Sequence, residues 1–264
     1  MSLPTFVTDD PFSAPGNVTL GEDAAHHMRV RRLETGVRVG LVDGAGMRGA
    51  GVLTQLAKRH AIVNIETVEA VEPVAPIHLL LPVADKDRML WLAEKVTELE
   101  LASWRPVAFR RSKNVNPRGE GSTFQQKVKM RMAAALEQSR GAYLPVLYPE
   151  ATVELAIAAR PAGACLVMQQ GGRPIFEALT PLIASARERG ALLPAVTLAV
   201  GPEGGFEPAE LEAFEAAGFV AVTLGRNILR FETAAHSGLA AVRAMLELVT
   251  DPHTTGGNPD SLDR

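Results

Sequence analysis

The chain has 264 residues, of which 47% are hydrophobic and 22% charged, and its formal net charge is −3. This composition excludes wholesale disorder and allows one large or two modest domains. Its one cysteine, Cys165, excludes an internal disulfide and a multi-cysteine zinc site. The N-terminal residues show no signal-peptide pattern, and no apolar run approaches the roughly 20 residues of a membrane span. We therefore expect a cytoplasmic protein that binds no metal and no membrane.

The N-terminal quarter of the chain is predicted to be rich in β-strand. Short apolar runs at 37–42 and 61–68 are separated by Gly and Asp, and the pattern of a helix is found mainly at 22–33. Residues 72–76 contain two prolines, which resist both a helix and a central strand. This segment is therefore predicted to be a linker.

A glycine motif at Gly44, Gly46 and Gly49 matches the dinucleotide-binding pattern G-x-G-x-x-G. That pattern binds a pyrophosphate only where the loop opens a helix. Here a second β-like run follows at 62–68, and Asp43-Gly44 is a typical hairpin turn. The motif is therefore predicted to be a β-turn, which removes the hypothesis of an NAD-dependent dehydrogenase.

From residue 77 onward, strand and helix patterns alternate. Strands are predicted at 78–83, 106–109, 164–168, 196–200 and 220–224, and helices at 85–101, 124–139, 176–189, 208–217 and 233–249. Such alternation indicates an α/β fold with a mostly parallel sheet and helices on both faces. Residues 251–264 are too polar to bury much surface, and we expect a disordered tail there.

Basic residues are concentrated in one stretch of this acidic chain. Between Arg105 and Arg140, nine Lys and Arg residues accompany only Glu120 and Glu137. Such a stripe is typical of a surface that binds a polyanion. A solvated face with a flexible loop would have the same composition, because 114–122 is rich in Gly, Asn and Pro. Charge alone leaves both interpretations open.

Two glycine-bearing loops each follow a predicted strand of the parallel sheet. The first is GPEGGF at 201–206, and the second is LGRNILRFETAA at 224–235. Loops at the carboxyl ends of parallel strands are where α/β sheets bind ligands. Glycines let the backbone approach a flat heterocycle closely, so these loops are predicted to form a cofactor site.

The two loops together resemble the C-terminal signature of the SPOUT methyltransferases. More narrowly, they are similar to the family that methylates N3 of a uridine in 16S ribosomal RNA. The segment HHMRVRR at 26–32 resembles that family's N-terminal PUA-like barrel, and KDR at 86–88 resembles the opening of its catalytic domain. The resemblance covers nearly everything except the tail.

This resemblance implies a PUA-like RNA-binding domain at 1–72 and a SPOUT domain with an α/β trefoil knot at 77–250. It also implies a homodimer, S-adenosylmethionine as cofactor, and 16S ribosomal RNA or the small ribosomal subunit as partner. The cofactor residues implied by position are Met168, Gln169, Val200, Gly201, Glu203, Gly204, Leu224, Gly225, Ile228, Leu229, Arg230, Thr233 and Ala234. The chain departs from the family at Phe231, where Thr is more usual, and at Gln169-Gln170, which replaces residues of the His-Pro-Glu type.

Two side chains of the second loop are candidates for the chemistry. Arg230 is always protonated, so we expect it to stabilise negative charge on the uracil carbonyl oxygens rather than to act as a base. Glu232 is expected to orient Arg230 or to accept the proton, although a carboxylate at a helix N-terminus is also favoured by the macrodipole alone. The candidates for RNA contacts are Arg29, Arg31, Arg32, Arg110, Arg111, Lys113 and Arg140.

Two alternatives remain open at this point. Another SPOUT RNA methyltransferase, acting on a ribose 2′-oxygen or another base, would share the cofactor loops. A non-catalytic RNA-binding protein of ribosome assembly would share the fold. The intact glycine loop and Arg230 favour an enzyme.

Overall fold

The computed structural model describes residues 3–112 and 121–247. These form two compact units, the first of residues 3–73 and Ala133–Leu144 and the second of residues 74–112, 121–132 and 145–247. Lys113 and the predicted tail at 251–264 lie outside the described residues. Among the helices that the structure describes, none has the length and apolar character needed to cross a membrane.

The first unit is built on a five-stranded sheet, as its β-rich sequence predicts. Its elements are β1 (Thr5–Val7), β2 (Gly16–Leu20), α1 (Glu22–Val30), β3 (Arg38–Val42), β4 (Met47–Leu56) and β5 (Ala61–Ala70). The strand order is β1-β3-β4-β5-β2, and only the β1–β3 pair is parallel. Phe6, Leu20 and Leu53 on the sheet and Met28 on α1 are fully buried and form its core.

The glycine motif after β3 is a turn, as predicted, and not a nucleotide-binding loop. The Asp43 carboxylate accepts hydrogen bonds from the backbone N–H groups of Ala45 and Met47, at 2.8 and 2.9 Å. The chain then continues directly into strand β4 rather than into a helix. A pyrophosphate would therefore find no helix N-terminus at this loop.

The second unit is built on a six-stranded sheet. Its elements are β6 (Ile77–Pro82), α2 (Lys86–Glu98), β7 (Ser103–Val107), the first part of α3 (Ser122–Ser139), whose residues from Ala133 onward belong to the first unit, β8 (Val146–Leu147), α4 (Val153–Ala158), β9 (Gly163–Pro174), α5 (Ile175–Glu188), β10 (Ala195–Val200), α6 (Pro208–Ala216), β11 (Val220–Thr223) and α7 (Phe231–Glu247). The strand order is β11-β9-β10-β6-β7-β8, and every neighbouring pair is parallel. The predicted parallel sheet is thereby confirmed, whereas the trefoil knot stays a prediction.

Helices cover both faces of this sheet, as the alternating pattern predicts. Neighbouring residues of a strand point to opposite faces. In β10, Leu198 meets α7 at Gly238, while Ala199 belongs to a cluster with Phe214 of α6. The aromatic rings of this cluster pack edge to face, with the Phe214 and Phe219 centroids 4.8 Å apart.

Three details of the second unit differ from the sequence prediction. Strand β7 lies at Ser103–Val107 instead of 106–109, since buried Trp104 pairs with Leu79 of β6. Strand β9 continues to Pro174 instead of ending at 168, because its polar half pairs with β11 beyond a register shift. The short elements β8 and α4 were not predicted.

Helix α7 is held against the unit by a buried arginine as well as by apolar packing. Leu239, Val242 and Leu246 of this helix are buried. The Arg243 guanidinium donates to three backbone carbonyls, those of Ala75, Leu99 and Glu100, at 2.9, 3.3 and 2.8 Å. One side chain therefore satisfies carbonyls from two different connections.

We expect Arg243→Met to lower the free energy of unfolding by about 3 kcal/mol, because the carbonyls around Arg243 lose their donors. Arg189→Met is the control, since Arg189 is exposed at the end of α5. Urea unfolding followed by circular dichroism measures both variants. Equal stability of the two would contradict a structural role for Arg243.

Candidate functional site

A cavity of about 310 Å³ lies at the carboxyl ends of β10 and β11 and beside residues 168–170 in the middle of β9. Strand β10 ends at Val200, and the loop that follows contributes residues 201–206 to the wall. The loop between β11 and α7 contributes the opposite side, and α7 adds Phe231 and Ala234. The two glycine-bearing loops of the sequence therefore face one cavity, at the edge where parallel sheets bind ligands.

Most of the predicted cofactor residues line this first cavity. They are Met168, Gln169, Val200, Gly201, Glu203, Gly204, Leu224, Gly225, Ile228, Leu229 and Ala234. Gln169 lies in the extended end of β9 and not in the loop expected after residue 168. Arg230 and Thr233 do not line the cavity, and both are exposed, at the end of the second loop and in the first turn of α7.

A second cavity of about 280 Å³ adjoins the first. It is lined by Val83, Ala84, Asp85, Arg88, Arg111, Ser112, Pro202, Glu203 and Phe231. Pro202, Glu203 and Phe231 line both cavities and so form a shared wall. The sequence did not predict this cavity, whose remaining residues follow β6 and β7.

Arg88 joins three segments of the site by ion pairs. Its Nη1 donates to Oε1 of Glu203, and its Nε lies 3.7 Å from Oε1 of Glu232. The hydrogen bond to Glu203 raises the pKa of Arg88 above its ordinary value, and the charge of Glu232 adds to this. Asp85 fixes the start of α2, since its carboxylate caps the backbone N–H groups of Asp87 and Arg88 at 3.1 Å.

Sequence reasoning missed Arg88 as a functional residue. The motif KDR at 86–88 was a signal, but it did not reveal the partner of Arg88, which lies 115 residues further along the chain. Glu232 was expected to orient Arg230 or to accept the proton, and its Oε1 lies 3.7 Å from Nε of Arg88. The second oxygen of Glu232, Oε2, is buried and has no hydrogen-bond partner in the described part of the chain.

The first unit holds four of the residues predicted to contact RNA. Arg31 and Arg32 are exposed and directly follow α1, which ends at Val30. Arg29 uses its guanidinium within the unit, donating to the carbonyls of Ala57 and Lys58 at 2.6 Å. Arg140 is half-buried, and its carbonyl accepts a hydrogen bond from Arg48.

The second unit holds the other two described residues that were predicted to contact RNA. Arg110 is exposed. Arg111 lines the second cavity, and its Nε lies 2.6 Å from Oε1 of Glu207. No group of three His, Cys, Asp or Glu side chains that could hold a metal ion is found in the described ranges.

Comparison with known proteins shows the class to which this fold and site belong. A family model described as "RNA methyltransferase domain" matches residues 71–243, and one described as "RNA methyltransferase PUA domain" matches residues 20–66. The first of these covers well over half of the chain. The protein is therefore an RNA methyltransferase with an N-terminal PUA-like domain, as the sequence motifs indicated.

Individual relatives narrow this class further. "Ribosomal RNA small subunit methyltransferase E" of Mycobacterium bovis is 30% identical over 84% of each chain. The protein of the same name from Synechocystis is 28% identical over 87% of this chain and 74% of its own. A crystal structure of this methyltransferase from Neisseria gonorrhoeae, bound to S-adenosyl methionine, has a TM-score of 0.77 at 26% identity, covering 92% of this chain and 98% of its own. The chain belongs to the ribosomal RNA small subunit methyltransferase E family.

Two glycines of the first cavity should respond differently to an added methyl group. A Cβ at Gly201 would lie 2.9 Å from the ring of Phe206, which is buried against Phe109 and Phe214. A Cβ at Gly225 would meet open space. We expect Gly201→Ala to lower the free energy of unfolding by about 1–3 kcal/mol and Gly225→Ala to leave it nearly unchanged, as measured by urea unfolding. Equal effects would contradict this packing of the first loop.

Proposed function

We propose that the protein transfers a methyl group from S-adenosylmethionine to N3 of a uridine in 16S ribosomal RNA, in the cytoplasm. The observation that carries the proposal is a pair of adjoining cavities, the first beside β9, β10 and β11 and the second at the carboxyl ends of β6, β7 and β10. One cavity per reactant is the arrangement that a group transfer needs, because the enzyme must align donor and acceptor and exclude water. Membership of the family and the S-adenosyl methionine bound to the Neisseria gonorrhoeae protein support the choice of donor.

The residues of the first cavity fit this donor. Gly201, Gly204 and Gly225 present backbone N–H and C=O groups, which can satisfy the edge of an adenine without a charged partner. Met168 and Leu229 supply apolar surface for its flat ring. When bound, S-adenosylmethionine supplies an electrophilic methyl group. The residues of this chain hold it beside the shared wall.

Arg230 is our candidate for stabilising the uracil carbonyl oxygens as charge develops on them. It is exposed between Leu229, which lines the first cavity, and Phe231, which lines both. Glu232 is placed to act through the cation that it contacts, Arg88, or to accept a proton with its unpaired oxygen.

The RNA is proposed to be bound by both predicted domains, the PUA-like domain at 1–72 and the SPOUT domain at 77–250. Exposed cations on each, Arg31 and Arg32 in one and Arg110 in the other, support phosphate contacts. The remaining predicted contacts, Arg29, Arg111, Lys113 and Arg140, belong to the same proposal.

The protein is further proposed to be a homodimer. Ile228 is 81% exposed and Leu229 is 37% exposed, both on the loop that borders the first cavity. Apolar surface beside a ligand site commonly marks a protein interface. Sedimentation equilibrium measures the mass directly, and a monomer at micromolar concentration would contradict this part of the proposal.

The proposed reaction is tested by incubating the protein with labelled S-adenosylmethionine and either 16S RNA or small ribosomal subunits. We expect 3-methyluridine in the digested RNA, identified by mass spectrometry of its nucleosides. A methyl group found on a ribose oxygen or on another base would show that the acceptor is not N3 of a uridine. A complete lack of transfer to either RNA would instead favour a non-catalytic role in ribosome assembly.

Arg230→Ala is expected to slow single-turnover methyl transfer by about 10²-fold, the usual effect of losing one group that stabilises an oxyanion. The matched control is Arg226→Ala, because Arg226 is exposed on the same loop and lines neither cavity. Rapid-quench assays at saturating cofactor compare the two. Wild-type rates for Arg230→Ala would remove Arg230 from the chemistry.

Replacing Arg31 and Arg32 together by Gln is expected to weaken RNA binding. It should reduce the slope of log affinity against log salt by about 2, since each phosphate contact contributes about one unit. Arg38→Gln is the control, because Arg38 pairs with Glu66 at 3.6 Å in the same unit. Filter binding over a range of salt concentrations measures the slope. An unchanged slope would exclude phosphate contacts by these two residues.

A further inference from the structure

The second cavity has the kind of lining that a pocket for a nucleobase needs. Enzymes that modify a base turn it out of its stack into a close-fitting pocket with apolar walls and a few polar groups. Val83, Ala84 and Phe231 supply apolar walls to a cavity of about 280 Å³, and four ionisable side chains supply the polar groups. A base in this pocket would lie against the wall that the first cavity shares.

The ionisable residues of this pocket differ in what they can do with a proton. Arg88 and Arg111 are cations and cannot accept one. Asp85 is already engaged, because its carboxylate caps the N-terminus of α2. Glu203 remains, and among the described residues it is the one ionisable side chain that lines both cavities.

Glu203 is also available to a ligand. Its side chain is 46% exposed, and its Oε1 accepts the hydrogen bond from Arg88. Its other oxygen, Oε2, makes no hydrogen bond to another residue in the described part of the chain. The ion pair therefore restrains the carboxylate at the shared wall while leaving one oxygen for an incoming donor.

We propose that the second cavity receives the acceptor base and that Glu203, restrained by Arg88, takes the proton from its ring nitrogen. This inference rests on the proposed function and adds the acceptor site and the general base to it. The N3–H bond breaks and the proton passes to Glu203 Oε2, which leaves the electron pair on the uracil. The N3 lone pair then forms the bond to the methyl carbon as the carbon–sulfur bond breaks, and the sulfur keeps that electron pair.

Glu232 is the rival for this role, and its position is less suitable. It lines neither cavity, its Oε2 is buried, and its Oε1 lies 3.7 Å from Nε of Arg88. In this arrangement Glu232 acts on the acceptor only through Arg88. Replacing Glu232 by Gln should therefore slow transfer less than the same change at Glu203.

The test compares Glu203→Gln with wild type in single-turnover transfer at saturating cofactor, over a range of pH. Glu94→Gln is the matched control, because Glu94 also pairs with an arginine, Arg131, at 2.7 Å but lies outside both cavities. Affinities for S-adenosylhomocysteine and for the RNA are measured separately by calorimetry and filter binding. They show whether the variant keeps its two binding sites.

We expect Glu203→Gln to be about 10²-fold slower near neutral pH, which is the usual contribution of a general base. Its rate should rise about tenfold per pH unit toward the pKa of uridine N3, because hydroxide replaces the missing base. The Glu94→Gln variant should keep the wild-type rate and both wild-type affinities. A merely structural defect would not be rescued by higher pH.

The outcomes separate this inference from the proposed function. An active wild type with an equally fast Glu203→Gln variant, or a defect that pH does not narrow, overturns the role of Glu203 alone. If Glu232→Gln transfers the methyl group more slowly than Glu203→Gln does, Glu232 is the general base, and the role of Glu203 is again overturned. A wild-type protein that methylates no base nitrogen overturns the proposed function and this inference together.

Discussion

The close approach of helix α7 to the parallel sheet is the constraint on which the site depends. A Cβ at Gly238 would lie 2.8 Å from Cδ2 of Leu198, so glycine lets the helix lie this near to β10 without displacing that side chain. Leu239 and Val242 are fully buried behind it, and Arg243 joins its far end to two connections. Because the helix begins at Phe231, this contact also limits the distance between the preceding loop and the ends of the strands. The first cavity is the space between that loop and the strand ends.

Charge organises the site as much as packing does. Arg88 comes from α2, Glu203 from the loop after β10, and Glu232 from the first turn of α7, so one cation connects three segments. Such partly exposed pairs contribute little to stability. Their value lies in geometry, since they limit the positions that the side chains between the cavities can take.

The sequence predicted those features whose signal is local. The alternation of apolar runs gave the parallel sheet, and the glycine loops gave most of the first cavity. Features that depend on distant pairing were missed. The polar end of β9 is a strand only because β11 pairs with it, and the pair of Arg88 with Glu203 joins residues 115 positions apart. Arg230 was predicted from its place in a motif, but a motif does not show on which side of the loop its side chain lies.

The shared wall has a consequence for the order of events in the cycle. Pro202, Glu203 and Phe231 contact whatever occupies either cavity, so filling one changes the surroundings of the other. Thermodynamic linkage makes that effect reciprocal: whatever free energy the donor adds to acceptor binding, the acceptor adds to donor binding. An enzyme with this wall need not exclude either reactant from binding first. The coupling acts on donor and acceptor to the same degree, whichever of them binds first.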